Sequence, residues 1–262
     1  MKNLIGADFE LTNEPLPLIR CAELEYTHGF STRLGGVSTE KGKTSLDLGS
    51  TDGIDVAENR RRFSSALCSD TKNMFSAKQI HSDIVLSVSG KDIGQQYECD
   101  GFVTAEKGLL LTVKTADCVP ILLEDSENGV IGAVHAGWRG TVKGIVIKAI
   151  QKMELLGAKR ESIKAVIGPS IHPCCYEVDE PFVCEVKKSP CSEIALKFIS
   201  SQGNGKYTAD LQGINSALIR ESGVGKIYVS PLCTCCNKDL LFSHRGSGGT
   251  RGLMMAGMII DR

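Results

Sequence analysis

Three short segments of the chain carry side chains that can bind a transition metal. Residues 79–82 (Gln-Ile-His-Ser) contain the imidazole of His81, residues 115–118 (Thr-Ala-Asp-Cys) the thiol of Cys118, and residues 135–140 (His-Ala-Gly-Trp-Arg-Gly) the imidazole of His135. Imidazole nitrogen and thiolate sulfur are preferred ligands of zinc, and three protein ligands leave the fourth position open for water or substrate. We therefore predict that these three residues form a catalytic metal centre.

Each of these donors is predicted to lie where a strand ends. Residues 74–80 precede His81, the apolar run 109–113 stops at Thr115, and residues 130–134 precede His135. Short apolar runs rich in β-branched residues are typical of buried strands. Donors far apart in the sequence are therefore expected to meet at one edge of a sheet.

A helix is predicted directly after the second histidine. Apolar residues at helical spacing define its buried face, and they are Val142, Ile145, Val146, Ala149, Ile150 and Met153. Gly157 is placed to end the helix. The helix would begin near Thr141 and present unpaired backbone N–H groups to the same edge, where they could bind an anion such as phosphate. Arg139 would strengthen that anion site, and Arg33, in a glycine-rich loop, is a second anion-binding candidate.

Strands and helices alternate along the rest of the chain without a regular βαβ period. Strands are predicted at residues 163–167 and 226–230, a helix opens at Asp179 and Pro181, and another follows Leu211. This pattern predicts an α+β fold with mixed sheets under outer helices. Because the motifs extend from residue 29 to residue 245, we predict one domain over residues 1–262.

Composition narrows the class of protein. The net charge of −1 gives no field suited to nucleic acid, and no apolar run approaches the roughly 18 residues of a membrane-spanning helix. With no signal-peptide pattern at the N-terminus, the expected location is the cytoplasm, where the eleven cysteines would stay reduced. We predict neither nucleic acid nor membrane as a partner.

Five of the cysteines form two groups that raise the possibility of a second metal. They lie in residues 174–175 and 233–236. A structural zinc site usually uses Cys-x-x-Cys, and neither segment is expected to supply that chelating spacing by itself. The spacing therefore argues against a second metal site without deciding the question.

The motifs together resemble the laccase-domain proteins, once described as multicopper polyphenol oxidases and now regarded as zinc-dependent purine nucleoside phosphorylases with adenosine deaminase activity. The resemblance rests on several ordered segments, which are residues 29–33, 35–38, 59–61, the three donor segments, 167–170, 174–178, 233–234 and 242–245. It implies two packed sheets flanked by helices, and it implies that His81, Cys118 and His135 bind zinc in preference to copper. It also implies that the cysteines of residues 174–175 and 233–236 form walls of the main site.

The same resemblance suggests the substrates and further site residues. Adenosine, inosine, guanosine and methylthioadenosine are the implied nucleosides, with phosphate as co-substrate. Ser170, His244 and Arg245 lie in matching segments and are candidates for contacts with base, ribose or phosphate. Which nucleoside is preferred, and which oligomer forms, stay open.

Phosphorolysis of a nucleoside sets a clear charge problem. The ribosyl carbon gains positive charge while the leaving purine needs a proton or hydrogen bond, so the site needs an anion cradle and a polar clamp on the base. Zinc at the three donors could polarise the substrate or a water, which would also account for deamination of adenosine. Asp117 either orients a ligand histidine or caps its own turn, and the sequence does not decide between them.

Three alternatives are kept. Cys118 could be a nucleophile with His135 or His81 as its base, in an amidase or deamidase. A laccase-like copper oxidase would need several copper centres, whereas one cysteine and two histidines provide one. A non-enzymatic factor in the editing of cell-wall precursors would use the metal only as a brace.

Overall fold

The chain folds around two mixed β-sheets that lie face to face. The computed structural model describes residues 3–40, 43–49, 54–249 and 252–262. Within these ranges the strands are β1 (Asn3–Leu4), β2 (Phe9–Thr12), β3 (Leu18–Cys21), β4 (Thr27–Ser31), β5 (Ser38–Glu40), β6 (Lys43–Ser45), β7 (Met74–Phe75), β8 (Val85–Ser87), β9 (Gly101–Thr104), β10 (Leu110–Thr115), β11 (Val119–Asp125), β12 (Val130–Ala136), β13 (Lys164–Ile167), β14 (Glu177–Asp179), β15 (Ile199–Gly203), β16 (Lys206–Ala209), β17 (Lys226–Val229) and β18 (Met254–Ile259). The α-helices are α1 (Ile54–Ala66), α2 (Trp138–Val142), α3 (Ile145–Leu155), α4 (Glu180–Lys187), α5 (Ser192–Ala195) and α6 (Leu211–Glu221).

The strand order of the two large sheets brings distant segments together. The first sheet has the order β1-β2-β3-β4-β18-β10-β7, and the second sheet has the order β17-β13-β11-β12-β9-β8. Neighbours are antiparallel except for the pairs β7 with β10, β8 with β9 and β13 with β17, which are parallel. A three-stranded sheet, β14-β16-β15, and the hairpin of β5 and β6 complete the described strands.

Strand β11 illustrates why the central strands carry continuous apolar runs. Leu122 packs in the cluster between the two sheets, whereas Ile121 and Leu123 pack against the helices on the other side. Since alternate side chains of a strand point to opposite faces, a strand covered on both faces must be apolar at every position. The run Ile121 to Leu123 meets that requirement.

Helices cover the outer face of each sheet. The buried stripe of α3, which includes Val146 and Ile150, packs with α6 on the second sheet. Phe63 and Leu67 pack on the first sheet from the side of α1. The result is a helix/sheet/sheet/helix arrangement, and the predicted α+β fold with two packed mixed sheets flanked by helices is confirmed.

Two of the predicted elements were wrong in their bounds. The strand predicted over residues 74–80 ends at Phe75, because the side-chain amide of Gln79 then takes over pairing with β10: its Nε2 donates to Lys114 O (2.8 Å) and its Oε1 accepts from Lys114 N (2.7 Å). The single helix predicted after Thr141 is two helices, because Gly144 adopts the left-handed conformation (φ 76°) between α2 and α3.

The other predicted elements are confirmed to within one or two residues. They are β10, β12, β13, β17, α4 and α6. Asp179 caps α4 by accepting from Phe182 N (3.1 Å), with Pro181 in the first turn. None of the described helices is long and apolar enough to cross a membrane.

Candidate metal centre and adjoining cavities

The structure brings His81, Cys118 and His135 together at one edge of the second sheet. Their donor atoms lie within 4.8 Å of one another, and Cys118 Sγ is 4.0 Å from His81 Nε2. A tetrahedral zinc with bonds of about 2.05 Å to nitrogen and 2.3 Å to sulfur would separate those two atoms by about 3.6 Å. Cys118 and His81 therefore need to close by only a few tenths of an ångström to hold one ion, and His135 lies within 4.8 Å of both.

Gly137 leaves the space in which the donors converge. A Cβ at this position would lie 2.9 Å from His81 Cδ2 and 3.4 Å from both Cys118 Sγ and His135 Cε1. Its backbone angles (φ −63°, ψ 163°) are open to any residue, so the requirement for glycine is steric and comes from the site. A concave floor lined by three ligand-type atoms fits a metal ion.

Asp100, which the sequence analysis missed, holds two of the three donor segments in place. Its Oδ1 is 2.8 Å from His135 Nδ1 and accepts from His81 N (3.1 Å). Its Oδ2 accepts from Ser82 N and Ser82 Oγ (both 2.7 Å) and from Ile80 N (3.3 Å). With the proton on Nδ1, the Nε2 atom of His135 is free for the metal, which is the usual role of a carboxylate behind a ligand histidine. The one signal in the sequence was an acidic residue directly before the short segment at residues 101–103 (Gly-Phe-Val), and it indicated no partner for the carboxylate.

The electrostatics of the site favour the thiolate, which is the ligand form of Cys118. Burial alone would lower the pKa of His135, but hydrogen bonds to Asp100 and Cys118 raise it to about 9, so a metal ion must displace a proton from that imidazole. Burial alone would raise the pKa of Cys118, but hydrogen bonds from His135 and His81 outweigh it and lower the pKa to about 6. Burial alone would also raise the pKa of Asp100, yet hydrogen bonds from His135 and Ser82 hold that pKa below its usual value. A thiolate is the form of cysteine that binds metal, so the site is prepared for a cation.

Asp117 does not orient a histidine. Its Oδ1 accepts from Thr234 Oγ1 (2.6 Å) and its Oδ2 accepts from Arg245 N (2.7 Å). Of the two roles considered for Asp117, orientation of a ligand was therefore wrong. The residue instead anchors the loops of Thr234 and Arg245 beside Cys118, with a backbone in the left-handed region (φ 91°) that turns the chain sharply at that point.

The donors lie in a cavity of about 500 Å³ with a mixed lining. Apolar contacts come from Ile171 and Leu253, and polar ones include Lys114, Tyr176 and His244. Burial is the main cause of a lowered pKa for Lys114, with a smaller effect of the Arg60 charge. Burial, followed by the negative charge of Cys118, raises the pKa of Tyr176, so its phenol stays protonated and able to donate.

A second cavity, of about 650 Å³, adjoins the first. Tyr176 and Arg245 line both, and Arg139 lines the second. The Arg245 guanidinium is fixed by bonds to Cys175 O (3.2 Å) and Glu177 O (3.0 Å), and that of Arg139 stacks on Trp138 at 4.3 Å. Two guanidinium groups therefore stand on the walls around Tyr176.

Two predicted substrate residues are not brought to these cavities. Arg33 donates from Nη1 to Lys238 O (2.7 Å) and stacks on Phe242, and it is not among the described residues that line either cavity. Ser170 is fully buried and lies behind the wall, where its carbonyl accepts from Thr234 N (3.0 Å). Helix α2, whose N-terminus was predicted to bind an anion, has only five residues. The charge of Arg139 should therefore attract an anion more strongly than the helix N-terminus does.

The expectation that the clustered cysteines form walls of the main site was wrong. Cys233 and Cys236 do have the Cys-x-x-Cys spacing, and the structure places their sulfurs with those of Cys174 and Cys175, all within 4.8 Å of one another. None of these four is among the described residues that line the two cavities. They form a second group of donors, not walls of the first.

Comparison with known proteins gives one family. The family model described as multi-copper polyphenol oxidoreductase laccase matches residues 27–261. A purine nucleoside phosphorylase of Deinococcus radiodurans is 38% identical over 247 residues, covering 94% of each chain, and the adenosine deaminase RL5 of an unknown prokaryotic organism is 32% identical over 250 residues, covering 90% of this chain and 94% of the relative. The crystal structure of YlmD from Geobacillus stearothermophilus superposes with a TM-score of 0.84 at 32% identity, over 96% of this chain and 99% of the other. With motifs, site and fold in agreement, this chain belongs to the multi-copper polyphenol oxidoreductase laccase family.

Proposed function

We propose that this chain is a zinc-dependent purine nucleoside phosphorylase that also deaminates adenosine. The observation that carries the proposal is the convergence of two imidazoles and one thiol on the floor of a cavity that also holds cationic and aromatic side chains. The names of the relatives support it, since one is a purine nucleoside phosphorylase and another an adenosine deaminase.

The three donors suit zinc better than a multicopper centre. Two nitrogens and one sulfur make up a catalytic zinc set with one open position, and the other group of metal ligands in the described part of the chain contains only thiols. Several copper centres for dioxygen reduction would require more imidazoles than these two groups provide. A zinc ion at His81, Cys118 and His135 would act as a Lewis acid on the substrate or a water at its open position.

The side chains around the donors match the charges of phosphorolysis. A phosphate oxygen bonds to the anomeric carbon of ribose, the bond from that carbon to the purine nitrogen breaks, and its electron pair leaves with the purine. Lys114, Arg139 and Arg245 would bind and orient the phosphate. The protonated phenol of Tyr176 is placed to donate a hydrogen bond to the leaving base.

Product analysis tests the proposal directly. Purified protein is incubated with inosine or adenosine, with and without phosphate, and free base, ribose 1-phosphate and inosine are measured. We expect ribose 1-phosphate only when phosphate is present, and its loss in Cys118→Ala but not in Cys184→Ala, an exposed thiol on α4. Release of base without phosphate, or full activity in Cys118→Ala, would contradict the proposal.

A Cys-His hydrolase is the second candidate, because the lowered pKa of Cys118 beside two imidazoles also suits a nucleophile. Alkylation of Cys118 distinguishes the two candidate functions. A metal-bound thiolate should react with iodoacetamide only after chelation, and zinc should then protect it again. Rapid alkylation of the untreated metal-loaded protein at Cys118 would instead favour the nucleophile.

A further inference from the structure

A cluster of four thiols lies on the far side of the wall that carries Arg245. The sulfur of Cys236 is 3.7 Å from that of Cys174 and 3.5 Å from that of Cys175, and the last two are 3.8 Å apart. Cys233 completes the group within 4.8 Å. A tetrahedral zinc with four bonds of about 2.3 Å to sulfur separates its ligands by about 3.8 Å. The separations among Cys174, Cys175 and Cys236 match those of ligands to one ion, and Cys233 lies close enough to be the fourth.

Two turns aim the four side chains at one point. Successive side chains of a strand would point to opposite faces, but Cys174 and Cys175 lie in a turn in which His172 O accepts from both Cys175 N and Tyr176 N (2.9 Å each). Their sulfurs are thereby brought to the same side. The pair at 233 and 236 spans a second turn, closed by Asn237 N donating to Cys233 O (3.1 Å).

Backbone pairing holds the two turns against each other. Cys233 forms a parallel bridge with Ser170, and Thr234 N donates to Ser170 O (3.0 Å). The register of these segments therefore fixes the separation of the two cysteine pairs before any ion binds. A preformed set of donors lowers the ordering cost of binding.

The surroundings accept the charge of a zinc tetrathiolate. Such a site carries a net charge of −2, and metal-site thiolates are commonly stabilised by N–H donors. His172 N lies 3.5 Å from Cys233 Sγ, and Arg245 binds the carbonyl of Cys175. Cys233 is 4% exposed and seals the inner side of the group.

We propose that Cys174, Cys175, Cys233 and Cys236 bind one zinc ion in a closed structural site. Four protein ligands leave no position for substrate, so the role is to fix the two turns. Those turns carry Thr234, which donates to Asp117, and the carbonyl of Cys175, which accepts from Arg245. The ion thereby braces the wall shared by the two cavities. The sulfurs are too close together for an iron–sulfur cluster, whose ligands must surround several irons.

Metal content tests the proposal without reference to activity. Protein purified under reducing conditions from zinc-containing medium is analysed by native mass spectrometry and elemental analysis. We expect two zinc ions per chain in the unmodified protein and in the control Cys184→Ser, and one in Cys174→Ser/Cys236→Ser. Equal zinc content in the unmodified protein and in the double variant would overturn the proposal, whereas a loss of one zinc in the double variant supports it even if the unmodified protein binds only one.

A second measurement covers the case in which the double variant does not fold. Cys118→Ala removes a donor of the other site and leaves all four clustered thiols intact. X-ray absorption at the zinc edge of that variant should show four sulfur ligands at about 2.3 Å and no nitrogen. Nitrogen ligands, or a disulfide among the four cysteines in the reduced protein, would contradict the proposal. Because this readout needs no nucleoside, it is independent of the proposed enzymatic activity.

Discussion

Replacing Asp100 with asparagine should weaken metal binding although it removes none of the three donors. Each carboxylate oxygen accepts at least two hydrogen bonds, from His135 and His81 on one side and from Ser82 and Ile80 on the other. An asparagine can present its oxygen to only one side, so its NH₂ group must face N–H donors on the other. One pair of donors beside the fully buried Asp100 side chain therefore loses its acceptor in either orientation.

The size of the effect follows from those contacts. Leaving a donor without an acceptor beside this buried side chain costs about 1–3 kcal/mol, so the loss of two puts the decrease in unfolding free energy at about 2–6 kcal/mol. If the NH₂ group faces His135, the imidazole loses the partner that keeps the proton on Nδ1. Loss of such a partner typically lowers metal affinity about 10- to 100-fold, and we expect a loss in that range.

Competition with a chromophoric zinc chelator measures the affinity, and urea unfolding of the metal-free protein measures the stability. Asp125→Asn is the matched control, because Asp125 is equally buried and accepts from Asn128 N (3.1 Å) and Lys159 N (2.8 Å) at the opposite end of β11 from Cys118. That variant should lose stability but keep its zinc affinity. Equal zinc affinity in Asp100→Asn and the unmodified protein would refute this account of the site.

Three further results are expected. In Gly137→Ala the added Cβ must displace His81, so zinc affinity should fall about tenfold or more with little change in melting temperature. The control Gly225→Ala, at a position with open space around it, should change neither quantity. Unchanged zinc affinity in Gly137→Ala would mean that the donors do not converge there. Lys114→Met should raise the KM for phosphate about tenfold with a smaller effect on kcat. Initial rates measured across phosphate concentrations give both constants. An increase in the KM for the nucleoside alone would assign Lys114 to the nucleoside and not to phosphate. Burial lowers the pKa of His28 to about 4 against 6.5 in the unfolded chain, so its contribution to stability is complete above pH 6.5 and is lost as pH falls toward 4, in total about 3 kcal/mol. The unfolding free energy, measured by urea titration at each pH, should therefore fall more steeply over that interval in the unmodified protein than in His28→Gln. Parallel curves would contradict the assignment.

The types of the three donors and the fold class could be predicted from the sequence. Soft ligands at strand ends and apolar runs such as residues 109–113 and 130–134 are local signals, and the fully buried strands β10 and β12 obey them. The match of the whole set of motifs added the expectation of zinc. That the chain forms a single domain and that the three residues bind zinc stay predictions.

Which groups support those donors was decided only by the tertiary structure. Asp100 lies directly before β9, and β9 pairs with β12 so that Gly101 is opposite Val134; this register alone brings the carboxylate to His135. The four clustered thiols come from segments about sixty residues apart that a parallel bridge aligns. Such contacts depend on strand order and register, which are set by the packing of the whole core. The Cys-x-x-Cys spacing of residues 233–236 is visible in the sequence, but it does not show which other residues complete the set.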